Sequence, residues 1–167
     1  MKTKNLVLKI ISVILSVVAF ISMAFPFVLT MISRIIPNHD SVHSSQSMLF
    51  SDWITLLGKD SESLWGWKTA RVIMIILFIV LLLIIIGTVL QFFMKNKYVD
   101  MAYKYLSIAG IVLAGLFIVF FIIGCVLQFG NTEFSSVAVF PHAGSSILGV
   151  SSLISSILSL MSLKEKK

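Results

Sequence analysis

The chain is short of charge and nearly free of cysteine, and each shortage removes a class of chemistry. Cys125 is the only cysteine among 167 residues. One thiol forms no internal disulfide, no Cys-x-x-Cys redox pair and no four-cysteine zinc site, which excludes quinone-linked disulfide chemistry. Placed within an apolar stretch, Cys125 reads as a small buried hydrophobe. Charged residues make up 12% of the chain against 58% hydrophobic ones, a balance far from that of a water-soluble fold. No glycine-rich phosphate loop is present, and the many serines near the end follow a helical pattern without a neighbouring His or Lys base. Covalent catalysis therefore lacks an activated nucleophile. Ionisable groups at mid-bilayer, the usual mark of proton-coupled carriers and membrane haem proteins, are also missing. Gln91 and Gln128 fall near span ends, where each is expected to reach interfacial water. No enzyme activity and no cofactor are expected.

What the sequence does contain is apolar length. Four stretches are long enough to cross about 30 Å of hydrocarbon at a rise of about 1.5 Å per residue. They predict an all-α integral membrane protein, a single four-transmembrane-helix bundle. Its spans are residues 6–32, 70–94, 105–128 and 146–163. The first follows MKTK but is too long for a signal-peptide core and has no clean cleavage pattern, so it is read as a retained helix.

Cations fix the expected orientation. Lys2, Lys4, Lys9, Lys95, Lys97, Lys104, Lys164, Lys166 and Lys167 lie on the side of the termini and the middle loop, against Arg34, Lys59, Lys68 and Arg71 opposite. Both termini and the loop 95–104 are thus predicted cytoplasmic, with external loops 33–69 and 129–145, a short tail 164–167, and the plasma membrane as location. The net charge of +6 is a topology signal that also suits anionic lipid, and nucleic acid is not an expected partner.

The first external loop is the larger. Asn38–Ser47 is polar and reads as irregular after Pro37. In MLFSDWITLL, residues 48–57, the apolar residues Leu49, Phe50, Trp53, Ile54 and Leu57 recur at helical spacing, so a short amphipathic segment is predicted to lie in the membrane interface. A strand in a small external sheet and a docking surface are the alternatives. Trp53, Trp65 and Trp67 are assigned as membrane-interface anchors. In the second loop Val137–Phe140 precedes Pro141 and suits an extended segment, able to pair with an extended piece of the first loop.

Two sets of residues are candidate sites. His39 and His43 in HDSVH are four apart, and His142 with Glu133 would complete a zinc-like set if the external loops meet. Along the last span Ser145, Gly149, Ser152, Ser156 and Ser159 form a line of small residues spaced four, three, four, three. Val150, Ile154, Ile157 and Met161 repeat on another side. Small faces allow close backbone approach and hydroxyl bonding across helices, and the third span offers Ser107, Gly110 and Ala114 as the matching surface.

The cytoplasmic termini, tryptophan-bearing larger first loop, short cytoplasmic turn and smaller second loop resemble the layout of the claudin and peripheral-myelin-protein group. Leu64 and Trp65 are similar to the Leu-Trp of that group's first loop. The paired cysteines that follow it there are absent here, so the resemblance implies a tetraspan topology and carries over no barrier or pore residue. The disulfide-oxidase bundles share only the helix count.

The expected function is protein–protein interaction, as an accessory or scaffold subunit of a larger membrane complex or as a homo-oligomer, with membrane lipid and another membrane protein or itself as partners. A self-associated pore lined by the serine face and an external metal or ligand sensor are the alternatives.

Overall fold

The computed structural model describes residues 3–34, 42–56, 64–93, 96–128, 130–132 and 135–164. Its elements in chain order are α1 (Thr3–Ile21), β1 (Val28–Arg34), β2 (Val42–Met48), α2 (Phe50–Leu56), α3 (Trp65–Phe93), α4 (Lys97–Leu127), β3 (Gly130–Thr132), β4 (Ser135–Pro141) and α5 (Ala143–Lys164). Four helices, α1 with its short continuation to Ala24, α3, α4 and α5, are long and apolar enough to cross a membrane. The protein is mostly helical and multi-pass, with the sheet at one end of the bundle.

The sheet corrects the all-α expectation. Four antiparallel strands lie in the order β2-β1-β4-β3, and β1 joins the two loops by pairing along its whole length with β4, from Val28 opposite Pro141 to Arg34 opposite Ser135. The extended segment expected around Val137–Phe140 is thus the core of β4. The first apolar stretch, expected as helix to residue 32, leaves the helix at Ile21. A single 3₁₀ turn follows, and Phe25 is extended at φ −98, ψ 157. Pro26 is the cause: it lacks an N–H and forces the residue before it out of the helical region. Beyond it the same apolar character serves a central strand, with Val28 buried and Met31 left exposed.

Helix starts also move. Asn96 caps α4, its side chain accepting from the Tyr98 N–H at 2.9 Å, so the helix starts at Lys97 and not at residue 105. α3 begins at Trp65, five residues before the expected span. Helices α3 and α4 form a long hairpin that is tightest where Gly66 meets Gly124, since a Cβ on Gly66 would stand 2.7 Å from the Gly124 nitrogen. Near its other end Gly87 leaves room for the Tyr103 ring, whose hydroxyl lies 3.0 Å from the Thr88 hydroxyl.

Sheet and bundle are joined by an aromatic cluster around Phe27. Its ring centroid is 5.1 Å from Phe50, 5.4 Å from Trp53 and 6.0 Å from Phe121. Its backbone ties three elements together: the N–H donates to Met48 O at 2.8 Å, and the carbonyl accepts from His142 N at 3.0 Å and from the Ser145 hydroxyl at 2.8 Å.

Candidate functional site

The small-residue line of α5 is buried as a seam. Ser145, Ser152, Ser156 and Ser159 are at most 4% exposed and Ala114 is fully buried, with Gly110 and Gly149 also buried. Contact with α4 is close at two points. A Cβ on Gly110 would overlap the Ser156 hydroxyl, and one on Gly149 would lie 2.7 Å from Ile118 Cγ1. The opposite side, Val150, Ile154, Ile157 and Met161, is exposed and suits lipid.

The hydroxyls on this line do not behave as one set. Ser152 and Ser156 donate back to Leu148 O at 2.6 Å and Ser152 O at 2.9 Å within their own helix. The bonds across helices run to α1 instead. Ser12 Oγ donates to Ser155 O at 2.9 Å while Ser155 Oγ donates to Ser12 O at 2.8 Å, a reciprocal pair. Ser159 Oγ lies 2.6 Å from Ser12 Oγ, and Ser16 Oγ lies 2.7 Å from Ser155 Oγ. If Ser159 donates to Ser12 Oγ and Ser16 to Ser155 Oγ, all four protons are used at once. The cluster is therefore a closed knot of hydroxyls between α1 and α5.

Ser12, Ser16 and Ser155 were not among the expected site residues. Their signal is in the sequence: Asn5, Lys9, Ser12, Ser16 and Ala19 recur at four, three, four, three along the first apolar stretch, the same spacing as the α5 line. All five are buried. Toward the end away from the sheet, Lys9 is 1% exposed, with its Nζ 5.7 Å from the Phe92 ring centroid. Gln91 is only 5% exposed, so it does not reach interfacial water, and its side-chain amide makes no hydrogen bond among the described residues.

The tryptophans divide. Trp65 is 47% exposed and meets Phe120 edge-on at 6.1 Å. Trp53 and Trp67 are core residues at 0% and 2% exposure, Trp53 lying 5.5 Å and Trp67 6.5 Å from Phe121. Trp53 is covered by protein, so α2 does not rest on lipid through it, while Leu49 just before the helix stays exposed.

The histidines are not brought together. His43 pairs with Ser33 near the outer end of β1, while His142 follows Pro141, the partner of Val28 at the other end. Five strand residues separate the two levels, about 17 Å at the strand rise, too far for one ion. His39 and Glu133 lie outside the described residues, and among the described ones no group of three His, Cys, Asp or Glu side chains could hold a metal.

The packing contrast on α5 is testable. Leu148 is fully buried beside the seam, so the neutral comparison for Gly149 is Val150, which is 52% exposed. Gly149→Leu is expected to lower the temperature of half-loss of folded protein in detergent by about 10 °C or more, and Val150→Leu by less than about 2 °C. Overpacking a closed site costs about 1–3 kcal/mol, whereas a lipid-facing change of this kind is within about 0.5 kcal/mol.

No protein-family model matches the chain, and no curated protein sequence matches it.

Proposed function

We propose that this protein is a non-enzymatic scaffold or accessory subunit of the cell membrane, with both termini cytoplasmic and the sheet outside, that acts by presenting the sheet to another membrane protein. The cation distribution supports that orientation, since nine of the 13 Lys and Arg residues fall, by sequence, in the two terminal segments and the segment 95–104 and not in the segments that carry the strands. The observation that carries the reading is the edge of the sheet. Among the described residues β2 is paired on one side only, and Ser44, Ser45, Gln46 and Ser47 are all exposed along it. The strand, VHSSQSM, holds no Lys, Asp, Glu or Pro. Edges lacking these blocking residues accept an added strand from a partner, which supplies main-chain hydrogen bonds in register. The bundle beneath supplies a fixed base: the start of β1, the end of β2 and the first turn of α5 are joined at Phe27, and the hydroxyl knot holds α5 to α1.

Mild extraction from native membranes followed by size analysis tests this. A stoichiometric partner, or a second copy, should accompany the wild-type chain. The double variant Ser45→Lys with Ser47→Lys should lose it about tenfold while keeping its helical circular dichroism, because exposed substitutions cost within about 0.5 kcal/mol. A monodisperse 18.5 kDa monomer in native lipid, or full retention of the partner by the lysine variant, would overturn the reading.

A further inference from the structure

The end of the bundle away from the sheet holds buried polar side chains that the hydroxyl knot does not use. Asn5 and Lys9 stand one turn apart on one face of α1 and are 2% and 1% exposed. Phe20 stacks on Phe78 at 4.9 Å and Lys9 Nζ lies 5.7 Å from the Phe92 ring, which lays α1 antiparallel along α3. Gln91, beside Phe92 and buried, therefore comes to the level of Lys9. Asn5 Oδ1 and both Oε1 and Nε2 of Gln91 make no hydrogen bond among the described residues. The neighbouring polar groups are all matched. Thr88 Oγ1 donates to Ile84 O at 2.8 Å and lies 3.0 Å from the Tyr103 hydroxyl, and Ser162 Oγ donates to Ser159 O at 2.7 Å. Leaving a carboxamide buried and unmatched weakens the fold, and buried polar groups are otherwise almost always paired.

The unmatched atoms have a definite chemistry. Gln91 Nε2 offers N–H donors beside the positive charge of Lys9, while Gln91 Oε1 and Asn5 Oδ1 are acceptors. A bare anion would serve the donors and leave both oxygens unmet. A head that joins a phosphate to hydroxyls serves both. The depth suits such a head: at the helical rise Asn5 and Lys9 lie about 3 Å and 9 Å from Thr3, the first residue of α1, within the headgroup and upper acyl levels. Lys4, Lys97 and Lys104 are exposed at the same end, against Asp100 in the first turn of α4, and clustered cations attract anionic lipid. Phe92, whose ring lies along Lys9, is itself 47% exposed and stands between the cluster and the bilayer.

We propose that Asn5, Lys9 and Gln91 bind the head of an anionic, hydroxyl-bearing phospholipid of the phosphatidylglycerol type, taken from the leaflet at the end away from the sheet. The phosphate accepts from Lys9 and the Gln91 amide, the hydroxyls donate to Gln91 Oε1 and Asn5 Oδ1, and rotation of the Phe92 ring admits the head from the lipid side. The site is remote from the β2 edge and does not depend on the scaffold reading.

The test is thermal loss of the folded full chain in neutral detergent, with and without added lipid. Phosphatidylglycerol should raise the wild-type midpoint by about 5 °C, phosphatidylcholine by less than about 1 °C, and glycerol phosphate, the head without its chains, not at all. Without lipid, Gln91→Leu should be at least as stable as wild type, since it removes an unmatched carboxamide. It should nevertheless lose the phosphatidylglycerol shift, as should Lys9→Met, while Val89→Leu on the exposed face of α3 keeps it. Native mass spectrometry should retain one phosphatidylglycerol on the wild type and about tenfold less on Gln91→Leu. An equal shift with phosphatidylcholine or with glycerol phosphate, a full shift in Gln91→Leu, or a lipid-free Gln91→Leu less stable than wild type, the mark of a bridging water, would each overturn the proposal.

Discussion

Gly124→Ala should remove most of the folded protein from detergent extracts, and Gly124→Leu should remove all of it. A Cβ at this position would stand 2.5 Å from Trp67 Nε1 and closer still to the neighbouring ring carbon. The obstacle cannot swing aside, because Trp67 is 2% exposed and is held against Phe121. Retreat of α4 would part the backbones that Gly66 and Gly124 bring together at the same level. The hairpin would have to open at its sheet end, and with it the aromatic cluster that carries α2 and β1. Overpacking of this kind costs about 3 kcal/mol or more for the smallest addition. Gly115→Ala is the control. Nothing lies within 4 Å of a Cβ there, so alanine's better helix propensity should leave stability unchanged or raise it by up to about 1 kcal/mol. Thermal loss of folded protein, followed by gel filtration, separates the two: a drop of more than about 10 °C for Gly124→Ala and none for Gly115→Ala. Partial recovery in Trp67→Phe with Gly124→Ala would locate the clash at the indole.

The membrane spans were legible because apolar length is a direct requirement of the hydrocarbon layer. The sheet was not, and β1 and β2 show why. The central strand β1 is apolar enough to extend the first span without a break, and periodicity does not separate a buried strand from a buried helix over so short a run. Pro26 was the available signal, since it restricts Phe25 whatever follows. The edge strand β2 fails in the opposite way. With Ser44–Ser47 exposed, no alternation of apolar and polar residues marks it as a strand. In α2 the helical spacing was readable, but an apolar face does not say what covers it. Lipid was expected, and Phe27, Phe50 and Phe121 cover Trp53 instead. The seam on α5 was legible as a line of small residues. Its second side, facing α1, required matching two spans at once through Ser12 and Ser16.

That second side sets the other large effect. Ser155→Leu should prevent α1 from docking on α5. The site is fully buried, and the Ser155 hydroxyl already lies 2.7 Å from Ser16 Oγ and 2.8 Å from Ser12 O, so a leucine has no room without parting the helices. The alanine variants measure the bonds themselves. Ser155→Ala removes the interhelical donor of Ser12 O and leaves that oxygen to the Ser16 hydroxyl of its own helix, 3.1 Å away. Ser12→Ala strips Ser159 and Ser155 O of their partner. Interhelical hydroxyl bonds in bilayers average about 0.6 kcal/mol and reach about 1.7, so each variant should cost about 1–2 kcal/mol. The double variant should cost about their sum, since each removes a different bond of the reciprocal pair, Ser12 Oγ to Ser155 O in one and Ser155 Oγ to Ser12 O in the other. Ser146→Ala, exposed on the same helix, should change nothing. The same set separates packing from a polar path. Hydroxyls that lined a path would alter solute flux in liposomes when replaced, at unchanged stability. A knot whose four protons are all engaged predicts the reverse: loss of stability between α1 and α5, with flux equal in wild type and Ser155→Ala.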